Sequence, residues 1–160
     1  MQENEFEVAE FQLIKPLGNN QEKITNYAVA VNNVREIIQL PELTEAPKGG
    51  KYELGVFTSR DKVTPLIFLS KWLGLSSCSD NYGRFVIVIE DKKGATHGFL
   101  IDKINRIHRI STEHIEKTED SEGVLGAVRL EGRLVFLLDF ESIVMDINSA
   151  APSLHKPSED

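Results

Sequence analysis

The chain is poor in cysteine and in positive charge. Its only cysteine, Cys78, cannot form an internal disulfide, so the sequence is consistent with a reducing compartment. Cys78 lies in a polar segment, where we expect its thiol to have no role. Eighteen basic residues against 25 acidic ones give a net charge of -7, which repels phosphate backbones and anionic lipid surfaces. We therefore expect no nucleic-acid partner.

The sequence also lacks a long apolar run. None approaches the roughly 18 residues that span a bilayer, and the acidic amino terminus does not have the form of a signal peptide. We therefore expect no direct membrane insertion and a cytoplasmic location.

Motifs of catalysis and metal binding are missing as well. There is no glycine-rich phosphate loop, no GxSxG elbow and no HExxH, and the four histidines show no zinc-ligand spacing with Cys78. We expect no catalytic residue, no metal and no cofactor. His108 and His114 are expected on a solvated surface, and Asp139 is expected to cap a turn or helix.

A repeated unit dominates what the sequence does contain. Gly55–Leu75 returns as Gly126–Asp146, with an offset of 71, and Tyr27–Leu40 returns as His97–Ile110, with an offset of 70. Each half has about 70 residues, which alone would bury only a thin core. The repeat predicts one module used twice, with the two copies sharing a core or exchanging elements.

Short apolar runs separated by turn residues predict an all-β fold. The runs 84–90 and 95–101 form one predicted hairpin, and 124–130 pairs with 133–139 across Glu131-Gly132. Residues 5–15 change their alternating phase, which predicts a bulge near Ala9 and Glu10. After Asn32-Asn33 the chain either makes a helical turn or resumes as a strand.

The two modules predict two small barrels in one domain. That domain covers residues 1–147 and closes with a helix at 140–147. Residues 148–160 are rich in Ser, Ala and Pro and are expected to form a flexible tail or the start of a linker. Trp72, in a predicted helical turn, is expected to pack in the core and not to stack on a ligand.

At this point the chain resembles the bacterial chemotaxis coupling protein CheW, over about residues 5–146. It is most similar to the amino-terminal CheW-like domain of CheV, which precedes a receiver domain. The segments that carry the two resemblances are YAVAV (27–31), VREII (34–38), GV (55–56), VTPLI (63–67) and GFLID (98–102) for CheW, and NEFE (4–7), KWLG (71–74) and INRIHRIS (104–111) for CheV.

The resemblance implies two interlocked SH3-like barrels and a non-catalytic adaptor. Members of the family bridge chemoreceptor tips to the histidine kinase CheA within receptor arrays. The receptor tip lies along an apolar groove between the barrels. By correspondence with the family's V-x-E-I segment and turn arginine, the implied contact residues here are Val34, Glu36, Gly55 and Arg60, with Phe68 and Arg106 as secondary surface candidates.

The two halves differ in charge at these positions. Arg60 falls opposite Glu131 in the repeat, and Glu36 falls opposite Arg106. The reversal predicts that barrel formation requires neither sign at either position, which leaves these residues free to recognise partners.

Other positions match the family less closely or match the repeat instead. Gly55 aligns with Gly126, so its glycine is explained by the backbone of the module as well as by binding. Asp61 stands where the family has glycine, and we expect a different hairpin turn there. Phe68 replaces an acid, and either joins the core or enlarges an apolar contact patch.

Three hypotheses follow for function. The first is an adaptor between receptors and CheA, and the second is the CheW-like half of a CheV regulator whose receiver domain tunes coupling by phosphorylation. The third is a small-molecule-binding or enzymatic β-barrel, which requires a convergent polar pocket.

Overall fold

The computed structural model describes residues 4–47, 49–75, 83–118 and 123–150. These residues form ten strands, two α-helices and two 3₁₀ turns. The elements are β1 (Glu5–Gly18), β2 (Gln21–Ala30), β3 (Val34–Gln39), β4 (Glu53–Ser59), β5 (Lys62–Ile67), α1 (Leu69–Trp72), β6 (Phe85–Glu90), β7 (Thr96–Ile101), β8 (Lys103–Ser111), β9 (Val124–Leu130), β10 (Arg133–Leu138) and α2 (Phe140–Ala150), with the 3₁₀ turns at Val31–Asn33 and Thr112–His114.

The strands form two five-stranded sheets. The first, here called the terminal barrel, has the order β8-β1-β2-β10-β9 and takes its strands from both ends of the chain. The second, the middle barrel, has the order β3-β6-β7-β5-β4. The chain crosses between barrels from β2 to β3 and returns from β7 to β8, so the predicted interlocking of two small barrels is confirmed.

The strand registers confirm the repeat residue by residue. Parallel pairing sets Leu66 of β5 opposite Gly98 of β7, and Leu137 of β10 opposite Ala28 of β2. The offsets, 71 between the leucines and 70 between Ala28 and Gly98, are those found in the sequence. Each barrel is thus built from equivalent strands in the same order.

The two sheets pack against each other through their outer faces. Phe99 of the middle barrel stacks on Phe140 of α2 with ring centroids 3.9 Å apart, and Phe140 lies 6.1 Å from Phe11 of the terminal barrel. These fully buried rings lie in the largest cluster of buried apolar residues. Two smaller clusters fill the barrel interiors. The central cluster therefore joins the barrels into one core.

A register irregularity is present near Ala9 and Glu10, as predicted, but it does not interrupt the alternation of β1 from Val8 to Leu13. Ala9, Phe11 and Leu13 face the central cluster, while Val8 faces the interior of the terminal barrel. The register with β8 does shift between Ala9 and Phe11, but the extra residue lies in β8. The predicted position is therefore confirmed, but the irregularity does not bring the two phases to one face. Both faces of β1 are buried, which is why apolar residues occur in both phases.

Asp102 anchors the crossover between β7 and β8. Its Oδ2 accepts the backbone N–H of Ile14 in β1 at 2.7 Å, and its Oδ1 accepts the backbone N–H of Gly83, which precedes β6. Burial raises the pKa of Asp102, while the two N–H donors act in the opposite direction. The carboxyl group therefore links β1 of the terminal barrel to the segment that leads into β6 of the middle barrel, at the point where the chain passes between them.

Two element boundaries differ from the sequence-based expectation. The closing helix continues from Ile147 to Ala150, so the predicted tail loses its first three residues, beginning at Asn148, to α2. The rest of that tail lies outside the described residues, as does Cys78. After Asn32-Asn33 the chain resumes as a strand, because β3 begins at Val34. The one 3₁₀ turn here, Val31–Asn33, contains the two asparagines and does not follow them.

The two equivalent hairpins have the same turn, although Asp61 in one copy stands where Gly132 stands in the other. Arg60 and Asp61 have φ of 49° and 69°, and Glu131 and Gly132 have 52° and 82°. Positive φ at both central residues is the type I′ conformation, which matches the twist of the flanking strands. Hairpin geometry thus overrides the side-chain preference of Asp61, which adopts a conformation that favours glycine.

The turn leads to a matched pair of stability predictions. Asp61→Gly relieves an unfavourable backbone conformation and should raise the free energy of unfolding by about 0.5–1 kcal/mol. The converse change, Gly132→Asp, should lower it by about 1 kcal/mol. Urea unfolding followed by circular dichroism measures both. An Asp61→Gly protein that is less stable than the parent would contradict the assigned turn.

Candidate interaction surface

The structure brings together two of the predicted contact residues, Glu36 and Arg60. Nε of Arg60 lies 3.7 Å from Oε1 of Glu36, and the Ser59 hydroxyl donates a hydrogen bond to Oε2 of Glu36 at 2.6 Å. Glu36 belongs to β3 and Ser59 ends β4, which are the two outermost strands of the middle sheet. The contacts therefore join the two edges of the sheet where the barrel closes.

Arg60 remains accessible in this arrangement. Its side chain is 60% exposed, whereas that of Glu36 is 23% exposed. An ion pair at this distance and exposure adds little to stability, typically 0–1 kcal/mol. The guanidinium group can therefore turn toward a bound partner at small cost to the fold.

Val34 lies near this pair on the same strand but faces a different part of the molecule. The register with β6 shifts between Val34 and Glu36, so Val34 lies opposite Ile89 and Glu36 opposite Val88. Val34 packs half-buried against the central cluster, whereas Val88 belongs to the interior of the middle barrel. The bulge lets β3 present an apolar group to the space between barrels and an acid to the closing edge.

Gly55 is explained by its backbone surroundings. It is buried with φ of 149°, and a Cβ atom there would lie 2.9 Å from the carbonyl oxygen of Thr44. Its counterpart Gly126 has φ of 152°, and a Cβ there would lie 2.6 Å from the carbonyl oxygen of Glu116. Both glycines thus permit a close chain approach that the module requires, while a role of Gly55 in binding stays a prediction.

Arg106 forms the equivalent ion pair in the terminal barrel, with the charges exchanged. Its Nη1 lies 2.7 Å from Oε2 of Glu131. From the comparison of the two halves of the repeat, we predicted that each of these positions is free to carry a charge of either sign. In the structure the two positions are paired within each barrel, so a single reversal places like charges side by side. What differs between the barrels is the direction of the pair, which gives otherwise similar surfaces distinct charge patterns.

Phe68 contributes mainly to packing. Its side chain is half-buried against the interior cluster of the middle barrel, and its N–H donates to the carbonyl oxygen of Tyr52 at 2.7 Å. Of the two interpretations offered for this position, the structure therefore shows contact with the core. Its use as a secondary contact surface stays a prediction.

A buried charged cluster was missed by the sequence analysis. Glu10 is fully buried, and its carboxylate accepts from Arg133 at 2.6 and 2.9 Å and lies 2.7 Å from Nε2 of His108. His108 is 9% exposed, so its expected place on a solvated surface was wrong. The alternation of β1 could have predicted this cluster. Glu10 lies on the same face of the strand as the apolar Val8, and an acid buried on that face needs a charged or hydrogen-bonding partner.

The cluster is specific to the terminal barrel. Glu10 pairs with Ala28, and the equivalent of Ala28 in the other copy is Gly98, which pairs with Val88. The middle barrel therefore has an apolar side chain where the terminal barrel has Glu10. Burial alone raises the pKa of Glu10, but the hydrogen bonds from Arg133 and His108 outweigh it and leave the pKa below the ordinary 4.5.

Two further residues have the packing and capping roles that we predicted. Trp72 packs against the central cluster and donates from Nε1 to Oδ2 of Asp146 at 2.9 Å, which ties α1 to α2. Asp139 precedes α2 and accepts the N–H of Glu141 at 3.2 Å and the hydroxyl of Ser142 at 2.7 Å. Asp139 is therefore a helix cap.

Within the described residues, no three His, Cys, Asp or Glu side chains come together in a way that could hold a metal ion. Likewise, no helix in that part of the chain has the length and apolar character needed to cross a membrane.

Glu10 leads to a prediction about stability and pH. Glu10→Gln removes the charge that pairs with Arg133 and His108 and should lower the free energy of unfolding by about 2 kcal/mol at pH 7. Because folding lowers the pKa of Glu10, its stabilising effect is present above pH 4.5 and is lost as the pH falls through the folded-state value. The difference between the two proteins should therefore shrink toward acid pH.

Urea unfolding at several pH values measures this difference. Glu36→Gln is the matched control, since Glu36 belongs to an accessible pair, and it should change stability by less than about 1 kcal/mol. A Glu10→Gln protein with the stability of the wild type at pH 7 would contradict the assigned role.

Comparison with known proteins identifies the family. The sequence profile of the CheW-like domain matches residues 17–148. The chain is 33% identical over 129 residues to the chemotaxis protein CheV3 of Helicobacter pylori, covering 76% of this chain and 42% of CheV3. It is 28% identical over 147 residues to the chemotaxis protein CheW of Thermotoga maritima, covering 89% and 90% of the two chains. This chain therefore spans less than half of CheV3 but most of the CheW relative.

A solved structure shows the same fold. The crystal structure of the scaffolding protein TtCheW from Thermoanaerobacter tengcongensis superposes with a TM-score of 0.65 over 83% of this chain and 88% of that one, at 18% sequence identity. Together with the profile match, this shows that the chain belongs to the CheW-like domain family, a family of non-catalytic chemotaxis scaffold proteins.

Proposed function

We propose that this protein is an adaptor that couples chemoreceptor tips to the histidine kinase CheA in cytoplasmic receptor arrays. The observation that carries the proposal is the accessible Arg60–Glu36 pair on the edge of the middle barrel, with the half-buried Val34 on the same strand. Binding is the whole mechanism, since the protein is a scaffold and transfers no chemical group.

Apolar residues on β3 and β8, the strands that follow the two crossings between barrels, support a groove for a receptor helix. Val34 and its repeat counterpart Ile104 are both half-buried against the central cluster. Three residues further along each strand, Ile37 is 39% exposed and Ile107 is 55% exposed. An amphipathic helix buries such side chains with its apolar face, and this burial supplies most of the affinity.

The charged residues are suited to orienting the partner. Arg60 is mostly exposed and loosely paired, so an acid on the receptor or the kinase can replace Glu36 as its partner. Rim charges of this kind set register and choice of partner more than affinity. The oppositely directed Arg106–Glu131 pair would give the terminal barrel a different choice of partner.

Replacing Arg60 tests this proposal. Arg60→Glu should weaken association with a receptor signalling fragment or with CheA about tenfold, because it places an acid beside Glu36 and repels an acidic partner. Arg129→Glu is the matched control, as it makes the same charge change at an exposed arginine of the other barrel. Pull-down and titration calorimetry with both partners measure the effect, with circular dichroism to check the fold.

The double variant Glu36→Arg/Arg60→Glu separates contact from architecture. It restores the intramolecular pair with the charges exchanged, so binding that stays weak assigns the loss to the partner contact. Recovery of full binding would instead assign a purely structural role to the pair. Unchanged association of Arg60→Glu with both partners would reject Arg60 as a contact residue.

The match to CheV3 favours a second proposal, in which this chain is the CheW-like part of a longer regulator. A receiver domain following it would tune coupling by phosphorylation. Reading the native coding sequence past Asp160 tests this alternative, and a stop codon there would reject it.

A further inference from the structure

A cleft of about 460 Å³ lies between the β6–β7 hairpin and α2, outside both barrel interiors. Ile89 and Val144 form an apolar floor, and both are buried. Met145 lies on the wall with 65% of its surface exposed. Clefts of this volume with apolar floors commonly bind ligands or partner side chains. Arg60 and Glu36 do not line the cleft, although Ile89 lies opposite Val34 in the pairing of β6 with β3. The inference drawn from the cleft does not rest on the proposed function.

One wall of the cleft is a complete face of α2. Glu141, Val144, Met145 and Asn148 line it at the spacing i, i+3, i+4 and i+7. At 1.5 Å per residue this face is about 10 Å long, which is two helical turns. Such a face accepts the side-chain ridges of a second helix packed alongside it.

The opposite wall is the turn of the β6–β7 hairpin, which is held rigidly. Oδ1 of Asp91 accepts the backbone N–H groups of Lys93 and Ala95, both at 2.9 Å. The strands β6 and β7 are internal in their sheet, so this wall offers no free strand edge for an extended peptide. A rigid wall reduces the entropy lost when a partner binds.

Charge divides the rim into two sides. Lys92 and Lys93 lie on the hairpin side, and Glu141 lies on the helix side. None of the ion pairs among the described residues uses these three side chains. Asp91 also lines the hairpin side, but its carboxylate accepts the backbone N–H groups of Lys93 and Ala95 and lies 3.5 Å from Nε2 of His97. The charges that remain available to a partner are therefore positive on the hairpin side and negative on the helix side.

The cleft is also peculiar to one copy of the repeated module. The element equivalent to α2 is α1, which has four residues against eleven. A single turn cannot form the long wall described here. The cleft thus results from the extension of α2 and is not a by-product of the shared barrel architecture.

We propose that this cleft binds an amphipathic helix of a partner protein, with its apolar anchors on Ile89, Val144 and Met145. The helix has acidic residues on the flank facing Lys92 and Lys93, and basic residues on the flank facing Glu141. This chemistry satisfies the apolar floor and both sides of the charged rim at once.

A pair of synthetic helices tests the proposal. Both contain leucines at i, i+4 and i+7 and the same numbers of Glu and Lys. The dipolar peptide has Glu along one flank and Lys along the other, whereas in the scrambled peptide they alternate on both flanks. The chain has two methionines, Met1 and Met145, so methyl-¹³C-methionine labelling gives one signal in the cleft and one internal control.

We expect the dipolar peptide to shift the Met145 methyl signal to saturation and to bind about fivefold more tightly than the scrambled one. Glu141→Lys alone, or Lys92→Glu/Lys93→Glu alone, should abolish this preference, because the rim then has a single sign. The triple variant should restore it, since a reversed dipole accepts the same helix running in the opposite direction.

Three results would overturn the proposal. The first is a Met145 methyl signal that does not move with either peptide. The second is equal affinity for the two peptides, which would remove the charge complementarity. The third is a Met145 shift that depends on protein concentration without peptide, which would make a second copy of the chain the occupant.

Discussion

Packing between the outer faces of the two sheets is the interaction on which the rest of the molecule depends. In an ordinary small barrel the outer face meets water. Here Phe11 and Phe99 occupy it, and Phe140 of α2 packs against both rings. All three are fully buried, and burying one such side chain typically contributes about 1.5–3 kcal/mol. Because each half has too few residues for a substantial core of its own, the shared layer supplies the apolar burial that neither barrel could. Asp102 lies where the chain passes from β7 of the middle barrel to β8 of the terminal barrel. Its hydrogen bonds from Ile14 and Gly83 link the formation of one barrel to the formation of the other.

The duplicated module separates what the architecture needs from what each copy does with it. Gly55 and Gly126 are required in both copies because a second backbone segment passes too close for a side chain. The ion pairs Glu36–Arg60 and Arg106–Glu131 occupy equivalent sites and both join the edges of a barrel, yet they point in opposite directions. Both pairs place opposite charges at the closing edges, but their exposure means that they add little to the stability of closure. The direction of the pair is therefore not fixed by the shared architecture.

Sequence reasoning predicted most of the fold because its signals were local or repeated. Hairpin turns, alternating apolar residues and offsets of 70 and 71 are all visible in the chain itself. The contact between Glu36 and Arg60 was not predicted, because only closure of the barrel brings their strands together. Ser59, which precedes Arg60 and donates a hydrogen bond to Glu36, is 23 residues away from Glu36 in the chain. His108 was misplaced for a similar reason, because its partner Glu10 lies 98 residues away on a neighbouring strand. The conformation of Asp61 escaped prediction because the twist of its hairpin overrides a residue's own preference.

The sequence by itself determined that the chain is a duplicated all-β module of the CheW type, because periodicity, turn chemistry and family motifs are written along the chain. Tertiary structure alone decided which side chains meet across that duplication. Closure of the barrels brings Glu36 and Arg60 together as an ion pair and buries Glu10 between Arg133 and His108. The packing of the β6–β7 hairpin and α2 leaves a cleft between them. The physical reason is that these contacts join residues far apart in the chain. Their energies depend on burial and distance, which no local pattern encodes.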